Sequence, residues 1–493
     1  MSLLISSLRS DYDYTGDMDY LKENITRARK ALNFYMQMYD TKRALINSVY
    51  LVGHDAERGS SKAEEVASTV GNGYWDMSFM PKYDFHTNTY FYKALVDMAH
   101  LESILESKGV TVDKAEATVL TAERAGWNYG TDGTYNYTSA SLTEIANNVL
   151  GALRQTKENT NHTGFWDETK GRFVAGYSDA EGVWYDYGYT MWNMEAIYYG
   201  IATEAQAKAI MEWISGVRTI AGDTSTGEDI YFFQLAPRVN TYQGTSNADM
   251  SIFTGMYKGN QITYYGVTQL QYGGADMYTT FYDLMSRIQT FGADNAYDRL
   301  TAIQEWYMDI YKYYYQSGNI TPDDFYWEYY ENSQWDSDGD GVGEYWAIQN
   351  SLKGLAERDD TVGIIGIDGE FLESILPMAS IYYGFFGIDS LDGNMLQVAP
   401  QLPSDLEYWT IENLLFCDVK YDLTIRENAM QITSISEEEA AKGLSLQAVF
   451  ELPETEYSVY INGVKVKENV AYTVTDGKIY VNVSLNNVIV EVR

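Results

Sequence analysis

The chain has 493 residues, with 34 Lys and Arg against 70 Asp and Glu, giving a formal net charge of −36. That balance argues against nucleic acid and anionic membrane surfaces, both of which repel an acidic protein. No run of about 18 apolar residues is present to form a membrane span. One cysteine, Cys417, and four scattered histidines (His54, His86, His100, His162) argue against a disulfide framework, a multi-thiolate metal site and a His-rich zinc site.

Hydrophobic residues make up 45% of the chain, enough for a large buried core, and the length suggests two or three domains. Tyrosine is in excess: Tyr 45, Phe 17 and Trp 11 bring the aromatic share to 15%. A ring with a hydroxyl at its tip suits surfaces that stack on sugars and bond their hydroxyls. The same excess can also be a compositional habit without functional meaning. Residues 1–11 lack the basic and long apolar stretches of a signal peptide. The compartment stays open between a native cytosolic start and a fragment of a secreted or periplasmic protein.

Helical periodicity predominates up to about residue 390. Its apolar spacing predicts a first helix over 17–39 (Leu21, Ile25, Ala28, Ala31, Leu32, Tyr35) and another over 88–107, with Thr87 as cap and Gly109 at its close. Further helices are expected over 113–126, 140–157, 189–201, 203–215, 276–291, 295–315 and 369–386. The connections 54–86, 158–188, 217–270 and 316–367 are long, rich in Gly, Asp, Thr and Tyr, and recur at alternate junctions. Long loops in a compact domain tend to carry function. This rhythm reads as a toroid of helical hairpins whose long loops gather on one face. From about residue 395 the pattern turns to alternation, as in Val419, Tyr421, Leu423 and Ile425, punctuated by Asn462-Gly463 and Asp476-Gly477. The expectation is a helical unit over 1–392 and an antiparallel β-sandwich over 393–493, with nothing catalytic in the sandwich.

Neither a G-x-S-x-G elbow nor a phosphate-binding loop is present, which leaves carboxylate chemistry. Glycoside hydrolysis needs one carboxylic acid to protonate the leaving oxygen and one carboxylate to activate water or attack carbon. In Gly71-Asn72-Gly73-Tyr74-Trp75-Asp76, aromatic neighbours would desolvate Asp76 and favour its protonated form; an Asp-capped turn has the same letters. In Gly366-Ile367-Asp368-Gly369-Glu370, Asp368 as an N-cap puts Glu370 in a first helical turn, where the dipole keeps a carboxylate ionised. First-turn acids are also ordinary helix dressing.

A separate signal is Asp336-Ser337-Asp338-Gly339-Asp340-Gly341-Val342-Gly343-Glu344, whose acids at positions 1, 3, 5 and 9 with Gly at 6 fit a calcium loop. Position 12 is Ala347, so the bidentate Glu of an EF-hand is missing. The expected ligands are Asp336, Asp338, Asp340 and Glu344, in a structural role. A solvated acidic turn is the other reading, and no organic cofactor is expected.

The order of these segments resembles the six-hairpin glycosidases, the (α/α)6-toroid superfamily of trehalases, family 63 α-glucosidases and α-glycan phosphorylases. Tyr74-Trp75-Asp76 ahead of Thr87–Leu95 is similar to the G-W-D that precedes an inner helix in trehalases and family 63. Tyr189–Ile197 with Gly200-Ile201-Ala202 is similar to a later inner helix and its turn, and Gln271-Tyr272-Gly273-Gly274 to a substrate loop. Gly369-Glu370-Phe371 resembles the segment carrying the trehalase base. The resemblance covers roughly 17–400 and departs at Tyr272-Gly273, where trehalases continue Gln with Trp-Asp. It implies a mainly α (α/α)6 toroid and hydrolysis with inversion, with Asp76 as acid, Glu370 as base and Glu373 as rival base. The substrate would be an α-linked gluco- or manno-configured oligosaccharide, or a rhamnoside. Tyr74, Trp75 and Trp192 would form a sugar platform, and Asp84, Glu195, Glu228, Asp229 and Gln271 would bond sugar hydroxyls. A non-catalytic carbohydrate-binding toroid and a related phosphorylase or lyase are the alternatives.

Overall fold

The structure, a computed structural model, describes residues 2–47, 81–119, 133–158, 162–178, 182–186, 188–220, 277–311, 376–434 and 443–493. Its helices are α1 (Ser2–Thr15), α2 (Met18–Met36), α3 (Phe85–Ser107), α4 (Ser139–Arg154), α5 (Thr190–Tyr198), α6 (Glu204–Ile214), α7 (Met277–Phe291), α8 (Ala293–Tyr311) and α9 (Leu376–Ser380), which runs into a π-turn (Ile381–Phe385). Three small hairpins accompany them: β1 (Tyr39–Asp40) with β2 (Leu45–Ile46), β3 (Trp166–Asp167) with β4 (Arg172–Phe173), and β5 (Gly176–Ser178) with β6 (Val183–Tyr185). Among the described residues, no helix is long and apolar enough to cross a membrane.

Local chemistry sets most helix starts. Asp17 caps α2 by accepting from the Tyr20 amide, and Thr203 with Gln206 forms a reciprocal capping box on α6. The structure corrects the expected pattern in five places. Helix α1 precedes the expected first helix. Its buried Ile5, Leu8 and Tyr12 keep helical spacing, but Ser and Asp residues between them dilute the signal. Helix α3 starts at Phe85 because Asp84, not Thr87, is the cap, its carboxylate accepting from the Thr87 amide at 2.7 Å. In place of a helix from residue 113 there is a single 3-10 turn (Ala115–Ala117), opened by the Asp113 side chain accepting from the Ala115 amide; 120–126 lie outside the described residues. The stretch 158–188 carries the β3–β4 and β5–β6 hairpins. Of the helix expected over 369–386, α9 and the π-turn are seen, and 369–375 lie outside the described residues.

Residue pairs give the helix directions. Ser6 and Arg9 of α1 bond Asp97 of α3, and Asp13 of α1 meets His100, so α1 and α3 run parallel. His86 stacks on Trp192 and Tyr90 packs on Tyr199, so α3 and α5 also run parallel. Helix α7 runs the other way along α5, because Ser286 bonds the Met194 carbonyl while Phe281 packs on Tyr198. Helix α2 is clamped to α3 by Arg29, whose Nε and Nη2 donate to both oxygens of Glu102 at 2.7 and 2.9 Å. Tyr135 donates to the same carboxylate, and the pair is almost fully buried.

Two sheets form the C-terminal region. The six-stranded sheet has the order β14 (Val464–Lys465), β13 (Val459–Ile461), β17 (Val488–Val492), β11 (Ala429–Ser434), β10 (Val419–Arg426), β9 (Trp409–Phe416). The five-stranded sheet has the order β15 (Tyr472–Thr475), β16 (Lys478–Ser484), β12 (Ser445–Glu451), β8 (Met395–Val398), β7 (Ile388–Ser390). The alternation seen in sequence is the burial pattern: Val419, Tyr421, Leu423 and Ile425 of β10 point inward. One correction applies to the expected all-antiparallel arrangement. Strands β8 and β12 pair in parallel, Ser445 opposite Met395, and the β9–β11 excursion into the other sheet supplies the long crossover that such a pair needs. Asn462-Gly463 and Asp476-Gly477 adopt positive φ throughout, as two-residue hairpin turns require.

Helices and sandwich share a core. Phe385 of the π-turn and Phe386 just after it pack on Trp409, and Tyr297 of α8 packs on Phe385. The α1–α2 turn comes so close to the β7–β8 loop that a Cβ on Gly16 would sit 2.6 Å from the Gly393 carbonyl oxygen. Cys417, in the β9–β10 turn, donates its thiol to that same carbonyl.

Removing one partner of a buried ion pair leaves the other charge uncompensated, at a cost of about 3–5 kcal/mol. Arg29→Ala should therefore destabilise the protein by an amount of that order in urea unfolding, far more than loss of the exposed Lys22–Asp19 pair by Lys22→Ala.

Candidate functional site

The N-terminal half of α3 and the length of α5 with its C-cap Tyr199 bring one polar and aromatic cluster together. On α3, His86 and Tyr90 are four residues apart and share a face; on α5, Trp192, Glu195 and Tyr199 do the same at spacings of three and four. Tyr90 donates its hydroxyl proton to Glu195 Oε1 at 2.7 Å. The other carboxyl oxygen, Oε2, lies 3.5 Å from His86 Nε2. The imidazole is stacked on the Trp192 indole with ring centroids 4.9 Å apart, and Trp192 in turn lies against Tyr189 at 3.8 Å.

Glu195 and His86 are both buried. Burial penalises each charged form. It pushes the Glu195 carboxyl up to about 8 and the His86 imidazole down to about 3. At neutral pH the pair is therefore a carboxylic acid facing a neutral imidazole. Among the described residues, Glu195 Oε2, His86 Nε2 and Trp192 Nε1 have no hydrogen-bond partner.

Beyond this cluster, aromatic rings continue across the helices. The Tyr199 hydroxyl pairs with that of Tyr282 on α7 at 3.3 Å. Tyr198 packs edge-on against Phe281, and Phe281 against Tyr383 of the π-turn, whose side is 42% exposed. Carboxyls face the same region. Burial and the nearby charges of Tyr383, Asp389 and Asp97 together push the Tyr198 hydroxyl up to about 12. Burial alone would raise Asp97, but Lys93 and Arg9 outweigh it and hold its carboxyl below the ordinary range. A separate cavity of about 580 Å³ lies between the end of α6, α7 and α8, lined by Ser215, Arg287, Asn295, Asp298 and Arg299 among others, none of them in the Glu195 cluster.

Of the residues singled out in the sequence, Asp84, Trp192 and Glu195 are described. Trp192 and Glu195 do come together, though in a buried wall: Trp192 is 2% exposed, its ring covered by His86 and Tyr189, and so offers no open sugar platform here. Asp84 is fully buried and spends a carboxylate oxygen on capping α3. Tyr74, Trp75, Asp76, Glu228, Asp229, Gln271, Glu370 and Glu373 lie outside the described residues, as do Asp336, Asp338, Asp340 and Glu344 of the calcium loop. Among the described residues, no group of three His, Cys, Asp or Glu is placed to hold a metal. The sequence reading missed His86, Tyr90 and Tyr199. The four histidines looked too few for a metal site or a nucleophilic triad, although His86-x-x-x-Tyr90 and Trp192-x-x-Glu195-x-x-x-Tyr199 carry the helical spacing that joins them.

No protein-family model matches the sequence, and no curated protein is similar to it. Solved structures that match the chain include an α-L-rhamnosidase from Dictyoglumus thermophilum, at 10% identity and a TM-score of 0.42, covering 98% of this chain and 38% of that one. A family 78 rhamnosidase of Bacillus sp. GL1 gives 12% identity and 0.42, over 91% of this chain and 32% of that one. A protein named sialidase gives 8% and 0.46, over 97% and 32%. The chain thus spans about a third of the length of each.

The raised carboxyl makes a pH prediction. Because folding lifts Glu195 from its ordinary 4.5 to about 8, its proton stabilises the fold fully below 4.5, and that contribution is lost as pH rises to about 8. Glu195→Gln keeps the neutral shape without the titration. Its Tm should gain on the wild type steadily from pH 5 to pH 8; a constant difference across that range would show that Glu195 does not titrate there.

Proposed function

We propose that the protein is a glycoside hydrolase that cleaves an α-linked oligosaccharide with inversion, Asp76 acting as acid and Glu370 as base. The helical unit, residues 1–392, would be an (α/α)6 toroid carrying the catalytic groups, with the sandwich of 393–493 as its support. The observation that carries this reading is the tyrosine-rich region where α5, α7 and the π-turn meet. Tyr198, Tyr199, Tyr282 and Tyr382 are half-buried and Tyr383 is exposed, and Asp97 and Asp389 act on the same group of rings. Partly open rings with hydroxyl tips beside carboxyls suit a polyhydroxylated ring, which offers an apolar face and many hydroxyls at once.

In this reading Asp76 protonates the glycosidic oxygen while Glu370 takes a proton from water attacking the opposite face, with the carboxyls roughly 6.5–9.5 Å apart. Glu373 is the substitute for Glu370 if the base lies one turn on. Tyr74 and Trp75 would stack on the sugar, and Glu228, Asp229 and Gln271 would bond its hydroxyls. A carbohydrate-binding protein without catalysis is the second reading, favoured by the closure of Glu195 and Trp192 within the wall.

Aryl α-glucosides, α-mannosides and α-rhamnosides, with the product anomer followed by NMR, test the reading. The expected result is release of the β-anomer first and a loss of about 10³-fold or more in kcat for both Asp76→Asn and Glu370→Gln, an acid or base of this kind contributing about 10²–10⁴. Wild-type rates from both variants would remove the assignment, and absence of turnover on all substrates with measurable binding would favour the second reading.

Asp336, Asp338, Asp340 and Glu344 are proposed as oxygen ligands of a structural calcium ion. A chelator should then lower Tm by several degrees, an effect that added calcium reverses and the double variant Asp336→Asn, Asp338→Asn abolishes.

A further inference from the structure

We propose that the outer face of the five-stranded sheet is a second carbohydrate site, where a row of amides, Gln397, Gln447 and Asn482, binds a neutral glycan chain beside Tyr480. The site lies in the sandwich, apart from the helical unit, and stands whether or not that unit is a hydrolase.

Strand register builds the row. Gln397 of β8 is opposite Gln447 of β12, and Gln447 is opposite Asn482 of β16. Asp389 of β7, opposite Gln397, ends the row at the sheet edge. Their strand neighbours Leu396, Ala448 and Val481 are buried in the sandwich core, so by alternation the row points away from it. Asn482 and Asp389 are exposed and both glutamines are half-buried. Gln397 Nε2 donates to Gln447 Oε1 at 2.7 Å, and Gln447 Nε2 donates to Asn482 Oδ1 at 3.1 Å.

These two bonds hold the side chains in place before a ligand arrives, which removes part of the ordering cost of binding. They do not exhaust the amides. Each has two N–H donors and an oxygen with two lone pairs, and Gln447, in the middle, commits one of each to its neighbours. The row therefore offers donors and acceptors together at intervals of about 4.8 Å, the spacing of strands. A hydroxyl both donates and accepts, so adjacent hydroxyls of a sugar ring match such a pair. Tyr480 stands two residues from Asn482 on the same face, half-buried and opposite Val449. Its ring suits the apolar face of a sugar. On the other side of the row Ser445 is opposite Ser484, which adds hydroxyls.

Charge and polarity choose the occupant. Between Asp389 at the edge and the Lys478–Glu451 pair at one end, these rows are uncharged, in a chain of net charge −36. They give an ionic partner no charge to complement. A second copy would want an apolar centre, yet Val449 is itself buried and Met395 half-buried. A neutral polyhydroxylated chain meets the face as it is.

The test is retardation of the full chain in native gels containing soluble α-glucan, α-mannan, β-glucan or arabinoxylan, with affinities then measured by calorimetry. At least one polymer should retard the wild type. Asn482→Ala, which leaves the Gln397–Gln447 bond in place, should lower affinity roughly two- to tenfold, the size of one neutral hydrogen bond. Gln447→Leu, which removes the middle of the row, should lower it by roughly tenfold or more. Gln431→Ala, an exposed glutamine on β11 of the other sheet, should leave it unchanged. Urea unfolding of each variant checks that the fold is kept. No retardation of the wild type by any of the four polymers, or wild-type affinity in both Asn482→Ala and Gln447→Leu, overturns the inference. A wild-type dimer that Gln447→Leu splits would give the face to a second copy and overturn it too. Binding through the row by a protein that cleaves no glycoside would remove the hydrolase reading and leave this one standing.

Discussion

A carboxyl buried between helices must meet a cation, sit on the positive end of a helix, or give up its charge. This protein uses all three solutions, and the helical unit is arranged around them. Glu102 meets Arg29 and Lys114 where α2 joins α3. Asp97 meets Lys93 and Arg9 where α1 joins α3, and Asp283 lies between Arg287 and Arg299 where α7 joins α8. Asp186 meets Arg172 and Lys170 beside the β3–β4 hairpin, the Arg172 guanidinium lying over the Trp213 ring. Asp84 takes the second course and faces the amides at the start of α3. Glu195 takes the third. Among the described residues it meets no cation, only a tyrosine hydroxyl and an imidazole that burial has also neutralised.

Among the described residues, that contrast separates the buried acids held ionised by cations from Glu195, which is not. For Asp97, Asp186 and Asp283, burial would raise the carboxyl, but paired cations outweigh it and keep each ionised below the usual range. Such groups hold elements in register and have no proton to give near neutrality. Glu195 has one, and it stands where α3 and α5 run side by side, near Tyr199 and its partner Tyr282 of α7.

The sandwich is more than an appendage to this unit. The π-turn that follows α9 buries Phe385, and Phe386 just after it, in the sandwich core, with Tyr382 packed against that core and Tyr383 against Phe281 of α7. One short segment therefore serves both regions. The Gly16–Gly393 approach and the Cys417 turn, whose amide donates to the Tyr14 carbonyl, fasten the end of α1 to the same sheets. A shift of the sandwich would move Tyr383 relative to Phe281, and with it the tyrosine wall.

Much of this was legible in the letters, for a local reason. Alternation over Val419, Tyr421, Leu423 and Ile425 fixed which face of β10 is buried, because side chains on a strand have no other choice. Spacing and caps located α2, α4, α5, α6, α7 and α8 to within a few residues. Thr87 was expected as the cap of α3 and Asp84 is the cap found, because both are capping residue types three residues apart and periodicity does not distinguish them. The parallel pairing of β8 with β12, the reversal of α7 along α5, and the charge state of Glu195 were decided only by the tertiary structure. Each depends on what lies beside a residue from far away in the chain: Met395 beside Ser445, Met194 beside Ser286, His86 beside Glu195. Sequence determined that this acidic, tyrosine-rich chain would be helical first and sheeted last. Only folding could decide which of its seventy acids would lose their water without gaining a cation, because desolvation is a property of a place and not of a residue.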